Sequence, residues 1–255
     1  MHNIPDIHQE PAWLEVFGLE GRRCQEFQGE TRIIRPCLTF RPYALSSKPC
    51  SARSADYNQS VHVLTGELKR SAALGIPYVV THVGSHKGKG IAYGIKRVTD
   101  ACNIALKDAD SNSMILLEIT AGTKNSVGST FEHLRQIIDG IRPNGRVGLC
   151  FDTCHAFAAG YDISRKEGIE RTIKLLDEII GLERVKAVHA NDSKGPLGSG
   201  LDRHEHIGLG YIGEKGFREL FSHKYFKELP MVLETPIDAR RDDVGNIKKL
   251  RQICS

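Results

Sequence analysis

The sequence predicts an α/β fold of the (β/α)8 TIM-barrel kind, a parallel sheet with helices packed outside it. Three observations predict it. Short, continuously apolar, β-branched runs recur along the chain, as strands covered on both faces require. Segments with helical spacing separate them. The runs end near residues 83, 120, 153, 191 and 235, at intervals of 37, 33, 38 and 44 residues. Those intervals leave room for loops beyond a bare β/α unit. Eight such units make a barrel of roughly 250 residues, and this chain has 255. An open doubly wound sheet is the alternative architecture. No G-x-G-x-x-G follows the first strand, so a dinucleotide site is unsupported.

The elements justify this in order. Trp13 to Leu19 reads as a short strand and Ile33 to Phe40 as another, before an aperiodic stretch, Arg41–Arg53, crowded with Pro, Arg, Ser and Cys. Leu64, Leu68 and Ala72 step by four along a helix, which Gly75–Ile76–Pro77 stops. Strands follow at Tyr78–Val83, Met114–Thr120, Val147–Thr153, Val185–Asn191 and Met231–Thr235. Between them Ile91, Ile95, Val98 and Cys102 mark a helix, as do Phe131, Leu134, Ile138 and Ile141, then Ile169, Ile173, Leu176 and Ile180. Val244, Ile247 and Leu250 mark the last one. This gives six strands and a seventh in outline, so the barrel is expected to be incomplete or degraded at its first two β/α units. Residues 1–56 form an atypical N-terminal segment and 57–255 the barrel body.

Composition narrows the classes. Apolar residues make up 40% and charged residues 26%, the balance of a soluble globular chain. No apolar run approaches the roughly 20 residues that span a bilayer, and the first 30 residues hold no apolar signal core. Seven scattered Cys suggest free thiols in a reducing compartment. The net charge of +4 neither demands nor excludes nucleic acid.

Each of the five clear strands ends in a side chain able to bind metal: His82, Glu118, Asp152, His189 and Glu234. In a parallel α/β fold all strand C-termini share one rim, so residues distant in sequence converge there. Asp152-x-x-His155 and Asp202-x-His204 are read as loop clusters on the same rim. A single such residue is usually structural. An acid inside an apolar run such as ILLEIT is harder to dismiss, because burying an unpaired carboxylate costs several kcal/mol. Imidazole with carboxylate suits Zn²⁺, Mn²⁺ or Fe²⁺. Four His and four acids are too many for one tetrahedral ion and enough for two or three sharing a bridging carboxylate. Clustered ions of that kind serve in-line phosphoryl displacement. Sugar isomerases on similar barrels also use divalent ions, so the cluster alone leaves the reaction open.

The motifs THVGSH (81–86), LEITAG (117–122), FDTCHAFAAGYD (151–162), HANDSKGPLGSGLDRHEHIGLGYIG (189–213) and LETP (233–236) resemble those of the endonuclease IV family of apurinic/apyrimidinic DNA endonucleases. The match covers about four-fifths of the chain. It implies an eight-stranded α/β barrel with three zinc ions, with Mn²⁺ or Fe²⁺ able to replace one. It implies hydrolysis of the phosphodiester 5′ to an abasic site in double-stranded DNA, leaving a 3′-hydroxyl. By the resemblance Glu118 bridges two ions and helps orient the attacking water. His82 binds the first ion; Asp152, His189 and Glu234 bind the second; His155, Asp202 and His204 bind the third. A monomer is implied, cytoplasmic and nucleoid-associated, or nuclear in a eukaryote. The chain departs from the family at three points. Phe40 stands where a ninth ligand, a His, is expected three residues before Tyr43. Ile119 replaces the Asn after the bridging Glu. The first strand and the DNA-probing Arg loop are not recognisable in residues 1–56. Activity is therefore expected to be reduced or lost.

Among the other residues, Arg203, Lys194 and Tyr43 are candidate DNA contacts. Lys87, Lys89, Lys96 and Arg97 are either phosphate contacts or an ordinary solvated face. His86 either faces phosphate or caps a turn. His206 is read as loop or DNA-facing. His2, His8, His62, His133 and His223 are read as surface residues. Cys150 and Cys154 are read as buried packing. The Gly-rich loop 195–213 is expected to let backbone approach a phosphate closely. Two other functions compete: a divalent-metal sugar isomerase or epimerase with a closed small pocket, and a catalytically impaired DNA-binding relative.

Overall fold

The computed structural model describes Leu38–Thr39 and residues 54–255, with side chains from Asp56 onward. The expected strand at Trp13 to Leu19, the ligand-position departure at Phe40, the Tyr43 contact and the remodelled first quarter lie outside the described residues.

The sheet is parallel and has six strands in the order β1 (Leu38–Thr39), β2 (Tyr78–His82), β3 (Met114–Glu118), β4 (Val147–Asp152), β5 (Val185–His189) and β8 (Met231–Val232). Helices α1 (Ser54–Ala73), α2 (Ile91–Ala109), α3 (Phe131–Gly140) and α5 (Lys166–Ile179) connect or precede these strands, and α8 (Asp243–Cys254) closes the described chain. This is the curled parallel sheet of a TIM barrel. Among the described residues no helix is long and apolar enough to cross a membrane, and the four cysteines with described side chains are free thiols.

Strand alternation sorts the side chains into two layers. Val79, Ile115, Leu117, Leu149, Phe151, Val185 and Val188 join the helices in the main core. Val80, Leu116, Cys150 and Ala187 form a separate small cluster on the opposite face. The helices supply the other half of the main core on i, i+3, i+4 stripes: Val98, Cys102, Ala105 and Ala109 from α2, and Phe131, Leu134 and Ile138 from α3. Thr130 caps α3, accepting the His133 N–H at 3.3 Å. Leu117 is fully buried in the main core. Leu117→Ala is expected to cost about 2–5 kcal/mol, read as a lowered denaturant midpoint with an unchanged slope.

Several elements differ from the sequence expectation. The buried stripe of α1 runs Leu64, Leu68, Ser71, with Ala72 exposed. The last strand is only Met231–Val232, so Glu234 stands just beyond it. Asp152-x-x-His155 is not a loop: it opens α4 (Thr153–Ala159), which directly continues β4. Residues 153–158 are all buried, so no polar face marks the helix in sequence. His204 is not in a loop either. Strands β6 (Asp192–Ser193) and β7 (His204–Glu205) pair antiparallel. Helices α6 (Gly213–Ser222) and α7 (Lys224–Lys227) lie between β7 and β8, beyond the helices expected from the sequence. Gly213 and Gly216 lower the helical propensity of α6, while Phe217, Leu220 and Phe221 bury its inner face.

Candidate metal centre

The sheet register assembles the site. Val80, Leu116, Cys150, Ala187 and Val232 lie on or against the small inner cluster. Two residues further along stand His82, Glu118, Asp152 and His189 on the strands, and Glu234 just past the end of β8. A period of two therefore places these five on one face of the sheet, at its C-terminal rim. His82 is in register with Glu118, and Asp152 with His189. A register shift between β4 and β5, where Leu149 pairs with Val185 but Cys150 with Ala187, brings Asp152 level with His189.

All eight sequence candidates meet here. Ligand-capable atoms form three groups, each spanning no more than 4.8 Å: His82, Glu118 and His155; Asp152, His155 and His204; Glu118, Asp152, His189 and Glu234. Asp202 completes the second, with Oδ1 3.1 Å from His155 Nε2 and 3.8 Å from His204 Nε2. Glu118 is central. Its oxygens lie 2.9 Å from His189 Nδ1, 3.2 Å from His82 Nδ1 and 3.5 Å from His155 Nδ1. His189 Nδ1 also lies 3.4 Å from Glu234 Oε2. The geometry shares His155 between two groups, where the resemblance gives it to one.

Backbone carbonyls fix two imidazoles. His155 Nδ1 donates to Ile119 O at 3.0 Å, and His204 Nδ1 donates to Glu234 O at 3.0 Å. A ring that gives its Nδ1 proton away presents Nε2 to the cluster. His204 Nε2 is buried without a hydrogen-bond partner, 3.8 Å from carboxylates of both Asp152 and Asp202. A buried lone pair beside two carboxylates is the donor arrangement a divalent cation satisfies. The residues present thus fit bound metal.

The charges are strongly linked. Burial opposes ionisation of Glu118, yet His189 and His82 hold its carboxyl well below the usual range. Burial opposes charge on His155 too, but Asp152, Asp202 and Glu118 raise it well above the ordinary imidazole value. His189 is also raised well above it, against burial, by Cys150 and Glu118. With the Cys150 thiol itself pushed up to about 12 by burial, Glu118 is the ionised partner near neutral pH. A hydrogen bond from His155 holds Asp202 down at about 2. In the metal-free protein the raised imidazoles contribute stability below pH ~6.5, lost as pH rises through their folded values. Asp202 contributes stability above pH ~3.8, lost as pH falls towards about 2. Metal needs neutral imidazoles, so loading at pH 7 is expected to release at least about one proton per chain and to strengthen as pH rises. Titration calorimetry in two buffers of different ionisation enthalpy reads this directly; zero release would contradict it.

Three residues that sequence reasoning passed over hold the centre in place. Asn191 donates to Asp152 Oδ2 at 2.8 Å and accepts the Glu234 N–H at 2.8 Å, joining two strand ends. Thr153 Oγ1 donates to Asn191 O at 2.6 Å. Asp192 is buried and accepts backbone N–H groups from Ser193, Gly208, Gly210, Ile212 and Gly213 at 2.8–3.2 Å. The glycines of 208–213 therefore wrap an internal carboxylate rather than a phosphate. A Cβ at Gly210 would lie 2.4 Å from Ser193 O. Asn191 and Asp192 lie in the string HANDSKG and Thr153 in FDTCHAFAAGYD, beside the ligand candidates His189 and Asp152.

The remaining candidates separate. Lys194 and Arg203 are exposed beside the centre, tied by a Lys194 N–H to Arg203 O bond of 3.0 Å. Arg203 and Ile237 line a cleft of about 710 Å³ that reaches His204 and Glu234. Lys96 pairs with Asp100, and Arg97 lies 3.3 Å over the Tyr57 ring, packing α1 on α2. His86 caps a turn, its Nδ1 accepting the Gly90 N–H at 3.0 Å. His206 is fully buried, not DNA-facing. His133 and His223 are half-buried, and His223 caps α7.

The family model of the xylose isomerase-like TIM barrel matches residues 9–253. A protein of Methanoculleus marisnigri named "Probable endonuclease 4" is 52% identical over 222 residues, covering 87% of this chain and 78% of its own. The chain belongs to the endonuclease IV family. The solved endonuclease IV of Thermus thermophilus superposes with a TM-score of 0.68 at 35% identity, over 80% of this chain and 70% of its own. A D-tagatose 3-epimerase-like protein matches at TM-score 0.63 and 20% identity, over 81% of this chain and 72% of its own; it shares the fold alone. Within the endonuclease IV family, the eight-residue centre stands at the barrel rim where this fold places its chemistry.

Proposed function

We propose that this chain is a DNA-repair endonuclease that hydrolyses the phosphodiester 5′ to an abasic site in duplex DNA, leaving a 3′-hydroxyl. The observation that carries the reading is the convergence of four imidazoles and four carboxylates on one rim, in a chain 52% identical to a protein named endonuclease 4. His82, Glu118, Asp152, His155, His189, Asp202, His204 and Glu234 would hold up to three divalent ions, zinc by preference for this donor set. Ions held by these residues would lower the pKa of water and offset the negative charge of the scissile phosphate. Glu118, ionised and buried among three imidazoles, would help orient the attacking water. Asn191 keeps Asp152 and Glu234 at fixed spacing. Arg203 and Lys194, exposed beside the cleft, meet phosphates of the DNA backbone and make binding weaken as salt rises. Tyr43 is a further proposed DNA contact. The chain acts as a monomer in the compartment that holds its DNA.

The test is incision of a duplex oligonucleotide carrying one tetrahydrofuran abasic analogue, with and without prolonged chelation. Incision on the 5′ side that chelation abolishes is expected. Binding without incision would instead mark a catalytically impaired relative.

A further inference from the structure

Beyond the eight candidate ligands, a second polar cluster lies behind β7 and the segment that follows Glu234. It consists of groups the proposed chemistry does not use. Its centre is His206, fully buried two residues after His204. The hydrogen bonds fix its tautomer. Asn246 Oδ1 accepts from the Ile207 N–H and from Arg241 Nη1, both at 3.2 Å, so its amide nitrogen is the end that faces His206. That nitrogen donates to Asp242 O at 3.1 Å and to His206 Nδ1 at 2.9 Å. His206 Nδ1 is therefore an acceptor, and Nε2 carries the proton that goes to Asp238 Oδ1 at 3.0 Å. Asp238 in turn accepts from Arg240 Nη2 at 2.7 Å, and Arg240 reaches back to Glu205 at 3.0 Å.

The network joins two segments that each bring a candidate ligand to the centre. One holds His204 and the other Glu234. Their direct link at the site is the single bond from His204 Nδ1 to Glu234 O. Four residues beyond Glu234, Asp238 ties its segment back to His206 and, through Arg240, to Glu205. The clamp is fully satisfied and partly buried, so it has one arrangement rather than several.

We infer that His206 and Asp238 are positioning residues. They hold the Glu234 segment against β7, so that His204 and Glu234 keep the spacing that two neighbouring metal positions need. The inference rests on the proposed metal-dependent function.

The test compares Asp238→Ala with Asp238→Asn in the full chain. Asp238 is partly exposed, so neither change opens a core cavity. Asparagine can still accept the His206 Nε2–H; alanine cannot. Both proteins are loaded with zinc, and release to a chelator is followed with a zinc-sensitive dye, beside incision kinetics with and without added zinc. Asp238→Ala is expected to release at least one ion about tenfold faster. Its kcat should fall while KM holds, and excess zinc should restore it. Asp238→Asn is expected to stay within about twofold of the unchanged protein. Equal release rates in all three proteins would overturn the inference, and so would a kcat loss in Asp238→Ala that zinc leaves unrestored. An unchanged protein that neither binds zinc nor incises would count against the proposed function itself.

Discussion

Glu118→Gln is expected to lower incision of abasic-site DNA by at least about 10³-fold, roughly 4 kcal/mol of barrier. The substitution keeps shape and one acceptor oxygen but removes the charge around which the centre is built. Glu118 is the residue closest to three imidazoles at once, and it belongs to two of the three donor groups. Its loss therefore weakens two metal positions together. It also removes an anion that raises His155 and His189, so the proton release expected on metal loading should shrink in the variant. A stability change of the same size is not expected. Incision assays, zinc content and calorimetry on one preparation separate these effects. A variant that keeps its zinc and incises within tenfold of the unchanged protein would remove Glu118 from the centre.

Asp192→Ala is expected to act on the fold rather than on the chemistry. Five backbone N–H groups, from Ser193 and from four positions between Gly208 and Gly213, converge on this one buried carboxylate. Burial pushes the Asp192 pKa up while those donors favour the ionised form. Alanine would strand all five, at about 1–3 kcal/mol for a typical unsatisfied buried group, though water entering the space would relieve part of it. A net loss of about 3–5 kcal/mol is expected, on the order of 10 °C in melting temperature for a chain of this length. The turn it holds directly follows His206 and leads into α6, so zinc retention should fall with stability. A melting temperature within 2 °C of the unchanged protein would refute the role.

The strand ends were legible because two rules reinforce each other. Continuous apolar runs locate buried parallel strands, and a parallel sheet sends every C-terminus to one rim. His82, Glu118, Asp152, His189 and Glu234 follow from that alone. His155 was found as a residue but misplaced in a loop, because α4 is buried all round and shows no amphipathic stripe. Asp192 carries no local signal, because an acid between Asn191 and Ser193 reads equally well as surface and the glycines it binds lie 16 or more residues away. Only the fold shows the glycine N–H groups turned inward onto it. Asn191 lies inside the HANDSKG string, but an amide that joins two strand ends carries no periodicity to mark its role. His206 reads as loop or DNA-facing from its place two residues after His204, and it does lie outside any strand or helix. It is fully buried just past β7, hydrogen-bonded to Asn246 and Asp238 rather than facing DNA.

The central claim is that eight side chains from distant parts of the chain hold a cluster of divalent ions. Elemental analysis of the protein purified without chelator tests it most directly. Two or three transition-metal ions per chain are predicted, falling by at least one in Glu118→Gln. A protein that contains fewer than two, and that cannot be loaded beyond that number with zinc, manganese or iron, would contradict it.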